Sequence, residues 1–318
     1  MHGPRIVVAS PHRYPDLARL WYRGVARGLA PALRRAGLDV EVVVFRDAHA
    51  DEFDPAWFPG AVLEAPGPGV RDFLEFYDAA LALDADYLFL LDADLFFVDP
   101  EWPVSWLPRF DQENVAAVSF LRRTQEPGVY ALLCRTAAYR ELPRPVFAPA
   151  YEDLEDERNT VNRQPGDVAA RRLRERGREI LYAEPAEAEE RIADFHGTTV
   201  IRASREVFGH LMDGPGFEGL VSRKRYFAMG AYDNALLGSL YQSVFGEPFA
   251  PGPGGEPLGG SVTAEAVRRE LEQVRDRKVK EELEDYFLRS DRSILRLAAI
   301  EGIDLPLPDL RPQGWRRA

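Results

Sequence analysis

Short apolar runs alternate with helical segments over the first third of this chain, and this alternation restricts the fold more than any other feature. Arg5 to Ser10 is apolar, Asp16 to Ala36 carries apolar residues at helical spacing, and Asp39 to Phe45 is a second apolar, β-branched run. Another helix, Val70 to Leu83, leads into the apolar run Tyr87 to Leu91. The pattern predicts an α/β fold with a doubly wound, mostly parallel sheet.

Ligands of such sheets bind beyond the carboxyl ends of the strands. Four parts of the sequence should converge on that edge, and we expect the binding site there. The candidates are Ser10, Pro11 and His12 after the first strand, Arg46 and Asp47 after the second, Arg71 at the next helix start, and Asp92, Ala93 and Asp94 after the strand that ends at Leu91.

Asp92 and Asp94 form a D-x-D pair directly after the apolar strand Tyr87 to Leu91. Two neighbouring carboxylates in a region of low dielectric are costly without a positive partner. A divalent cation that prefers oxygen ligands, Mg²⁺ or Mn²⁺, would supply that charge and keep positions open for the phosphate oxygens of a nucleotide. Because D-x-D is short and common, the alternative that these aspartates only cap a turn or a helix stays open.

Composition excludes several classes of protein. The net charge of -12 over 318 residues argues against a general nucleic-acid binder. Cys134 is the single cysteine, so an internal disulfide and a multi-thiolate metal site are excluded. The N-terminus lacks the apolar segment of a signal peptide, and no run reaches the roughly 20 apolar residues of a membrane span. These features predict a cytoplasmic protein.

Residues Gly69 to Pro100, GVRDFLEFYDAALALDADYLFLLDADLFFVDP, resemble the central segment of GT-A glycosyltransferases. In layout the resemblance covers residues 5 to 250, although only this segment is specific. It implies a Rossmann-like nucleotide half beside a mixed acceptor half. It also implies that Asp92 contacts the ribose or sugar and that Asp94 binds the metal. The nucleotide base pocket would lie at Ser10-Pro11-His12 and Arg46-Asp47.

A third metal ligand is also implied, since several GT-A families place one, often a histidine, about this far after the D-x-D. His196, in ADFHGTTVIRAS, lies 102 residues after Asp94. Imidazole suits Mn²⁺ beside two carboxylates. A lone histidine is more often a structural hydrogen-bonding residue, and that alternative stays open.

Asp233 is the candidate catalytic base. It lies in RKRYFAMGAYDNALLGSLYQ, which resembles the G-x-Y/F-D-E stretch where GT-A enzymes place acceptor-site acids. An inverting transferase needs a carboxylate to take the proton of the acceptor hydroxyl. Asn234 stands where an acid is usual, and Asp233-Asn234 after a turn at Met229 to Ala231 also predicts a simple helix N-cap. Rival bases are Glu152, Asp153, Glu155 and Asp156.

The proline- and glycine-rich stretch Pro248 to Gly260 predicts a linker, and we divide the chain into a catalytic domain, 1–250, and an extension, 251–318. Amphipathic helices are expected from Thr263 to Arg289 and from Ser293 to Ile300, followed by an extended tail anchored by Trp315. These helices could pack on the catalytic domain or form a homodimer contact.

Together these features predict a metal-dependent, hexosyltransferase-like glycosyltransferase. It would use Mn²⁺ or Mg²⁺ to move a sugar from a nucleoside-diphosphate-sugar to a hydroxyl of a small-molecule or glycan acceptor. A sugar-nucleotide nucleotidyltransferase is the first alternative, although the glycine-rich phosphate loop of that class is missing at Ser10 to Tyr14. A catalytically silent nucleotide-sugar-binding or scaffold protein is the second, suggested by Asn234. The sugar, the base, the acceptor and the stereochemistry are not determined by the sequence.

Overall fold

The protein divides into two units, residues 1–192 and 193–318, in a computed structural model of the chain. The predicted domain boundary at residue 250 falls among residues outside the described part, so that division stays a prediction. The structure describes residues 3–12, 15–46, 53–64, 73–120, 131–147, 166–183, 190–195, 219–249, 268, 271–272, 274, 277–308, 310–312 and 314–315.

Strands and helices alternate through the first half of the first unit, as the apolar runs predict. The long predicted helix is one continuous segment, in which α1 and α2 flank a π-helical turn at Val25–Leu29. The elements are β1 (Arg5–His12), α1 (Pro15–Gly24), α2 (Ala30–Arg35), β2 (Asp39–Arg46), β3 (Val62–Glu64), α3 (Phe73–Ala80) and β4 (Tyr87–Leu91).

The second half of this unit contains shorter elements. The strand at Leu95–Phe97 is followed by a 3-10 helix at Pro103–Asp111. The strands and helices are β5 (Leu95–Phe97), β6 (Val115–Phe120), β7 (Ala131–Arg135), α4 (Thr136–Arg140), α5 (Asp167–Glu175), β8 (Glu179–Ala183) and β9 (Ile192–Asp194), of which β9 crosses the boundary between the units.

Seven strands form one sheet in the order β3-β2-β1-β4-β7-β6-β8. The pairs β1-β2, β2-β3, β1-β4 and β6-β8 are parallel, whereas β7 runs antiparallel to both β4 and β6. From β1 the chain moves outward to β2 and β3 and then returns to place β4 on the other side of β1. This topology confirms the predicted doubly wound, mostly parallel sheet with a mixed half.

The sheet is buried on both faces because helices cover it. Alternate residues of β1 and β4, such as Val7, Ala9, Leu88 and Leu90, face a core with α3. The intervening residues, such as Val8 and Phe89, are equally buried on the other face. Burial on both faces explains why these strands read as continuous apolar runs rather than as alternating patterns.

The second unit contains two long helices, α6 (Gly219–Phe245) and α7 (Arg277–Ile300). The sequence predicts a turn at Met229 to Ala231 and a break near residue 290, and both predictions are wrong. Asp233, the predicted helix N-cap, and Ser290, which follows the predicted helix end at Arg289, lie within the helices and bond to each other across the helix pair. The predicted C-terminal helical extension is confirmed as α7.

Candidate functional site

The candidate site lies at the carboxyl ends of β1 and β4, where the strand order reverses. Such a switch point is the usual place for a ligand in an open α/β sheet. Ala9 pairs with Leu90 across β1 and β4, and continuing this register places Pro11 level with Asp92. His12 pairs with Arg46 across β1 and β2. The fold therefore brings Ser10, Pro11, His12, Arg46 and Asp92 to one edge of the sheet.

Asp92 is held at this edge by a helix on one face of the sheet. It follows the last residue of β4 and is half-buried. The hydroxyl of Tyr77, on α3, donates a hydrogen bond of 2.9 Å to Asp92 Oδ1. The two residues are adjacent in space because Asp92 continues the row of Leu88 and Leu90, which faces the core that contains Tyr77.

Asp94 is two residues further along and is only 3% exposed. The backbone between the two carboxylates turns, with Leu95 N donating to Asp92 O over 3.3 Å. Two carboxylates of which one is buried form a donor set that fits a hard divalent cation such as Mg²⁺ or Mn²⁺. Within the described ranges no group of three or more His, Cys, Asp or Glu residues could hold a metal ion. His196, the predicted third ligand, lies outside those ranges.

Ser10 and His12 are buried polar residues at the end of β1. Among the residues that the structure describes, neither Ser10 Oγ nor either ring nitrogen of His12 has a hydrogen-bond partner. The His12 ring instead contacts Trp21 of α1, with ring centroids 4.9 Å apart. Buried polar atoms without partners cost free energy, and a ligand that formed hydrogen bonds with them would remove that cost.

The protonation state of His12 is set by its surroundings. Burial lowers the pKa of His12 to about 3, because the charged imidazolium would lose its hydration. At neutral pH the ring is therefore uncharged and offers one donor and one acceptor nitrogen. Such a ring can recognise a polar group of a ligand but does not neutralise a phosphate.

The other predicted residues at this edge are Pro11, Ala93, Arg46, Asp47 and Arg71. Pro11 is buried, whereas Ala93 and Arg46 are half-buried. Asp47 and Arg71 lie outside the described part of the chain, as do the rival bases Glu152, Asp153, Glu155 and Asp156. The assignment of all these residues to a donor site stays a prediction.

Asp233 lies in the second unit, in the interior of α6, and its side chain is completely buried. The hydroxyl of Tyr286 donates to Asp233 Oδ2, and Ser290 Oγ donates to Oδ1 over 2.8 Å. The N-cap interpretation is wrong because α6 begins at Gly219, fourteen residues earlier in the printed sequence. These bonds stabilise the pairing of α6 with α7. The predicted role of Asp233 as a base stays a prediction.

A second buried network adjoins Asp233, and sequence analysis missed it. Tyr232 OH donates to Asp291 Oδ1 over 2.5 Å, and the guanidinium of Arg311 donates to both Tyr232 and Asp291. Burial raises the pKa of Asp291 and that of Tyr232. The one sequence feature that could have indicated this network was a run of polar residues within an otherwise apolar helical pattern. The network fixes the C-terminal segment to the helix pair.

Among the described residues, none of the helices has both the length and the apolar run that crossing a bilayer requires. No protein-family model and no curated protein matches the sequence.

Several solved structures are similar to this chain at low identity. One is the mannosyltransferase PcManGT from Pyrobaculum calidifontis in complex with GDP-Man and Mn²⁺, with 12% identity, a TM-score of 0.44, and coverage of 93% of this chain and 88% of that one. The glycosyltransferase GlyE of Streptococcus pneumoniae TIGR4 has 11% identity and a TM-score of 0.38, covering 97% and 66%. A CMP:2-keto-3-deoxy-manno-octonic acid synthetase complexed with CTP has 14% identity and a TM-score of 0.35, covering 57% and 89%. At these values we draw no conclusion about family or activity.

Proposed function

We propose that this protein is a metal-dependent glycosyltransferase that moves a hexose from a nucleoside-diphosphate-sugar to a hydroxyl of a small molecule or glycan. The observation that carries the proposal is the D-x-D pair at the carboxyl end of β4, beside the point where the strand order reverses. A buried Asp94 next to a half-buried Asp92 supplies carboxylate oxygens, which a hard divalent cation prefers as ligands. The resemblance of residues 69–100 to GT-A enzymes supports the same reaction.

In this proposal Asp92 and Asp94 hold Mn²⁺ or Mg²⁺, with His196 as the third protein ligand. The cation, when bound, stabilises the charge that grows on the departing diphosphate. The chain's own residues bind the donor and orient its sugar toward the acceptor, and no covalent intermediate with the protein is required.

The nucleoside part of the donor would lie over the end of β1. Ser10 and His12 supply buried polar atoms there that have no hydrogen-bond partner among the described residues, and a neutral imidazole suits the uncharged edge of a base or the hydroxyls of a ribose. Arg46, Asp47 and Arg71 complete the proposed donor site. Arg46 is level with His12 in the sheet, which supports its inclusion.

The acceptor's proton needs a base only if the reaction inverts the configuration of the sugar. Asp233 is the predicted base, but both of its oxygens accept hydrogen bonds from buried hydroxyls. An acceptor hydroxyl would have to compete with Tyr286 and Ser290 for that carboxylate. The acidic residues between 152 and 156 are therefore retained as rivals for the role.

The proposal is tested by incubating the purified protein with UDP-, GDP- and dTDP-sugars, with and without Mn²⁺, and measuring the release of the nucleoside diphosphate. We expect release with one donor only, dependent on the metal and increased by a suitable acceptor. Release of pyrophosphate from a nucleoside triphosphate and a sugar 1-phosphate would instead identify a nucleotidyltransferase. Donor binding without any release would identify a silent binding protein.

A further inference from the structure

Tyr77 is a residue that neither the D-x-D pattern nor the fold class assigns to the site. We propose that Tyr77 is a positioning residue, whose hydroxyl fixes the orientation of the Asp92 carboxylate for binding of the metal-nucleotide complex. The inference rests on the proposed function. It is carried by the 2.9 Å hydrogen bond from Tyr77 OH to Asp92 Oδ1, which joins α3 to the end of β4.

The ring of Tyr77 is rigidly placed. Only 1% of the residue is exposed, and the ring packs among Ala9, Leu90 and other residues of the core that α3 forms with the sheet. Phe147 contacts it edge to face, with ring centroids 6.0 Å apart. A close-packed core of this kind disfavours other rotamers. The hydroxyl is therefore a donor whose position is set by packing rather than by the ligand.

The chemistry of this donor suits a carboxylate that must remain charged and correctly oriented. A phenol hydroxyl donates one hydrogen bond without neutralising the carboxylate, whereas an arginine or lysine at the same place would cancel the charge that attracts the cation. The two oxygens of a carboxylate offer about four acceptor sites. Occupying one of them at Oδ1 limits rotation of the group and so fixes the direction in which the carboxylate points.

The test compares Tyr77→Phe with the wild-type chain. The variant keeps the ring and its packing and removes only the hydroxyl. Tyr139→Phe is the matched control, because Tyr139 is buried in the same core and also contacts Phe147, in a stacked arrangement with centroids 5.6 Å apart. Both variants delete one buried phenol oxygen from one hydrophobic cluster, but only Tyr77 bonds to Asp92 in the described structure.

Binding of Mn²⁺ is measured from the loss of the electron paramagnetic resonance signal of free Mn²⁺ that the protein causes beyond the loss caused by the nucleotide alone, with UDP, GDP and dTDP tested separately. We expect Tyr77→Phe to weaken nucleotide-dependent Mn²⁺ binding about five- to tenfold, the upper part of the range for the net contribution of one intramolecular hydrogen bond. Tyr139→Phe should bind as the wild type does. In the transfer assay the concentration of Mn²⁺ for half-maximal rate should rise, and the rate at saturating Mn²⁺ should change less than about twofold.

Wild-type affinity in a folded Tyr77→Phe would overturn the inference and leave the proposed function standing. An equal loss in both tyrosine variants would also overturn it, because the effect would then come from the core. Absence of Mn²⁺ binding by the wild type with all three nucleotides would overturn both the inference and the metal-dependent function.

Discussion

His12 shows how a single buried polar residue makes the stability of the protein depend on pH. Its ring nitrogens have no hydrogen-bond partner among the described residues, and burial lowers the pKa of His12 to about 3. The unfolded chain binds a proton near the ordinary pKa of 6.5, and the folded chain does not. Stability therefore falls as the pH decreases from about 6.5 toward 3, by at most about 1.4 kcal/mol per pH unit from this group.

Replacement of His12 by Phe should remove this dependence. We expect His12→Phe to be at least as stable as the wild type at neutral pH, because an apolar ring beside Trp21 replaces ring nitrogens that have no hydrogen-bond partner in the described part of the chain. The difference in unfolding free energy between the two proteins should widen as the pH falls from about 6 to 4. Urea denaturation at several pH values measures it. A constant difference across this range would show that His12 is not buried in its neutral form.

The D-x-D could be found from the sequence at the residue scale because it follows an apolar strand directly. Tyr77 could not be found in this way. Helical spacing places it on the buried face of α3, but its contact with Asp92 depends on how α3 lies on the sheet. His12 was predicted from its position only, and the folded structure is needed to see that its ring contacts Trp21 and that its nitrogens lack hydrogen-bond partners among the described residues.

At the scale of elements, the pairing of α6 with α7 depends on buried polar bonds as well as on apolar contacts. Asp233 accepts hydrogen bonds from Tyr286 and Ser290 across the two helices. The sequence predicted a helix N-cap at Asp233, since Asp and Asn favour caps, and a break in the helical pattern after Arg289. A partner more than 50 residues away satisfies Asp233 and Ser290 instead, and local patterns do not report such partners.

Asp233→Asn and Tyr286→Phe should each destabilise the protein by about 1–3 kcal/mol, because each breaks a buried hydrogen bond. The double variant should lose less than the sum of the single losses, since the two residues share one interaction. Chemical denaturation of all four proteins measures this coupling. If the two single losses of unfolding free energy summed to the loss in the double variant, the hydrogen bond between Tyr286 and Asp233 would be contradicted.

The same variants test the predicted catalytic role of Asp233. If the carboxylate is the base, Asp233→Asn loses transfer activity and Tyr286→Phe keeps it. If the residue is only structural, both folded variants transfer the sugar at similar rates. The comparison separates the two roles because both variants disturb the same hydrogen bond.

At the scale of the whole chain, the C-terminal segment completes the second unit. Leu310, Arg311 and Trp315 are buried, and Trp315 stacks on Phe287 of α7 with ring centroids 6.2 Å apart. Arg311 forms a buried ion pair with Asp291. The predicted anchoring by Trp315 agrees with this arrangement. The role of Arg311 could not be predicted, because an arginine in a proline-rich tail usually remains in solvent.

Arg311→Met should destabilise the protein by about 3–5 kcal/mol at neutral pH, because it leaves the Asp291 carboxylate buried without its cation. The loss should be smaller at acidic pH, where Asp291, whose pKa is raised by burial, becomes neutral. Arg292→Met, at an exposed position of α7, is the control and should change stability little. Denaturant unfolding at two pH values gives the comparison. A loss of equal size in the control would contradict the account.

The central claim is that the D-x-D binds a metal-nucleotide-sugar complex, and Asp94→Asn tests it most directly. The substitution removes the charge of a residue that is 3% exposed while nearly preserving its shape. Isothermal titration calorimetry of both proteins with UDP-, GDP- and dTDP-sugars, with and without Mn²⁺, measures donor affinity. The account predicts that the wild type binds one donor only with Mn²⁺ and that a folded Asp94→Asn loses this binding. Equal metal-dependent affinity in the folded variant would contradict it.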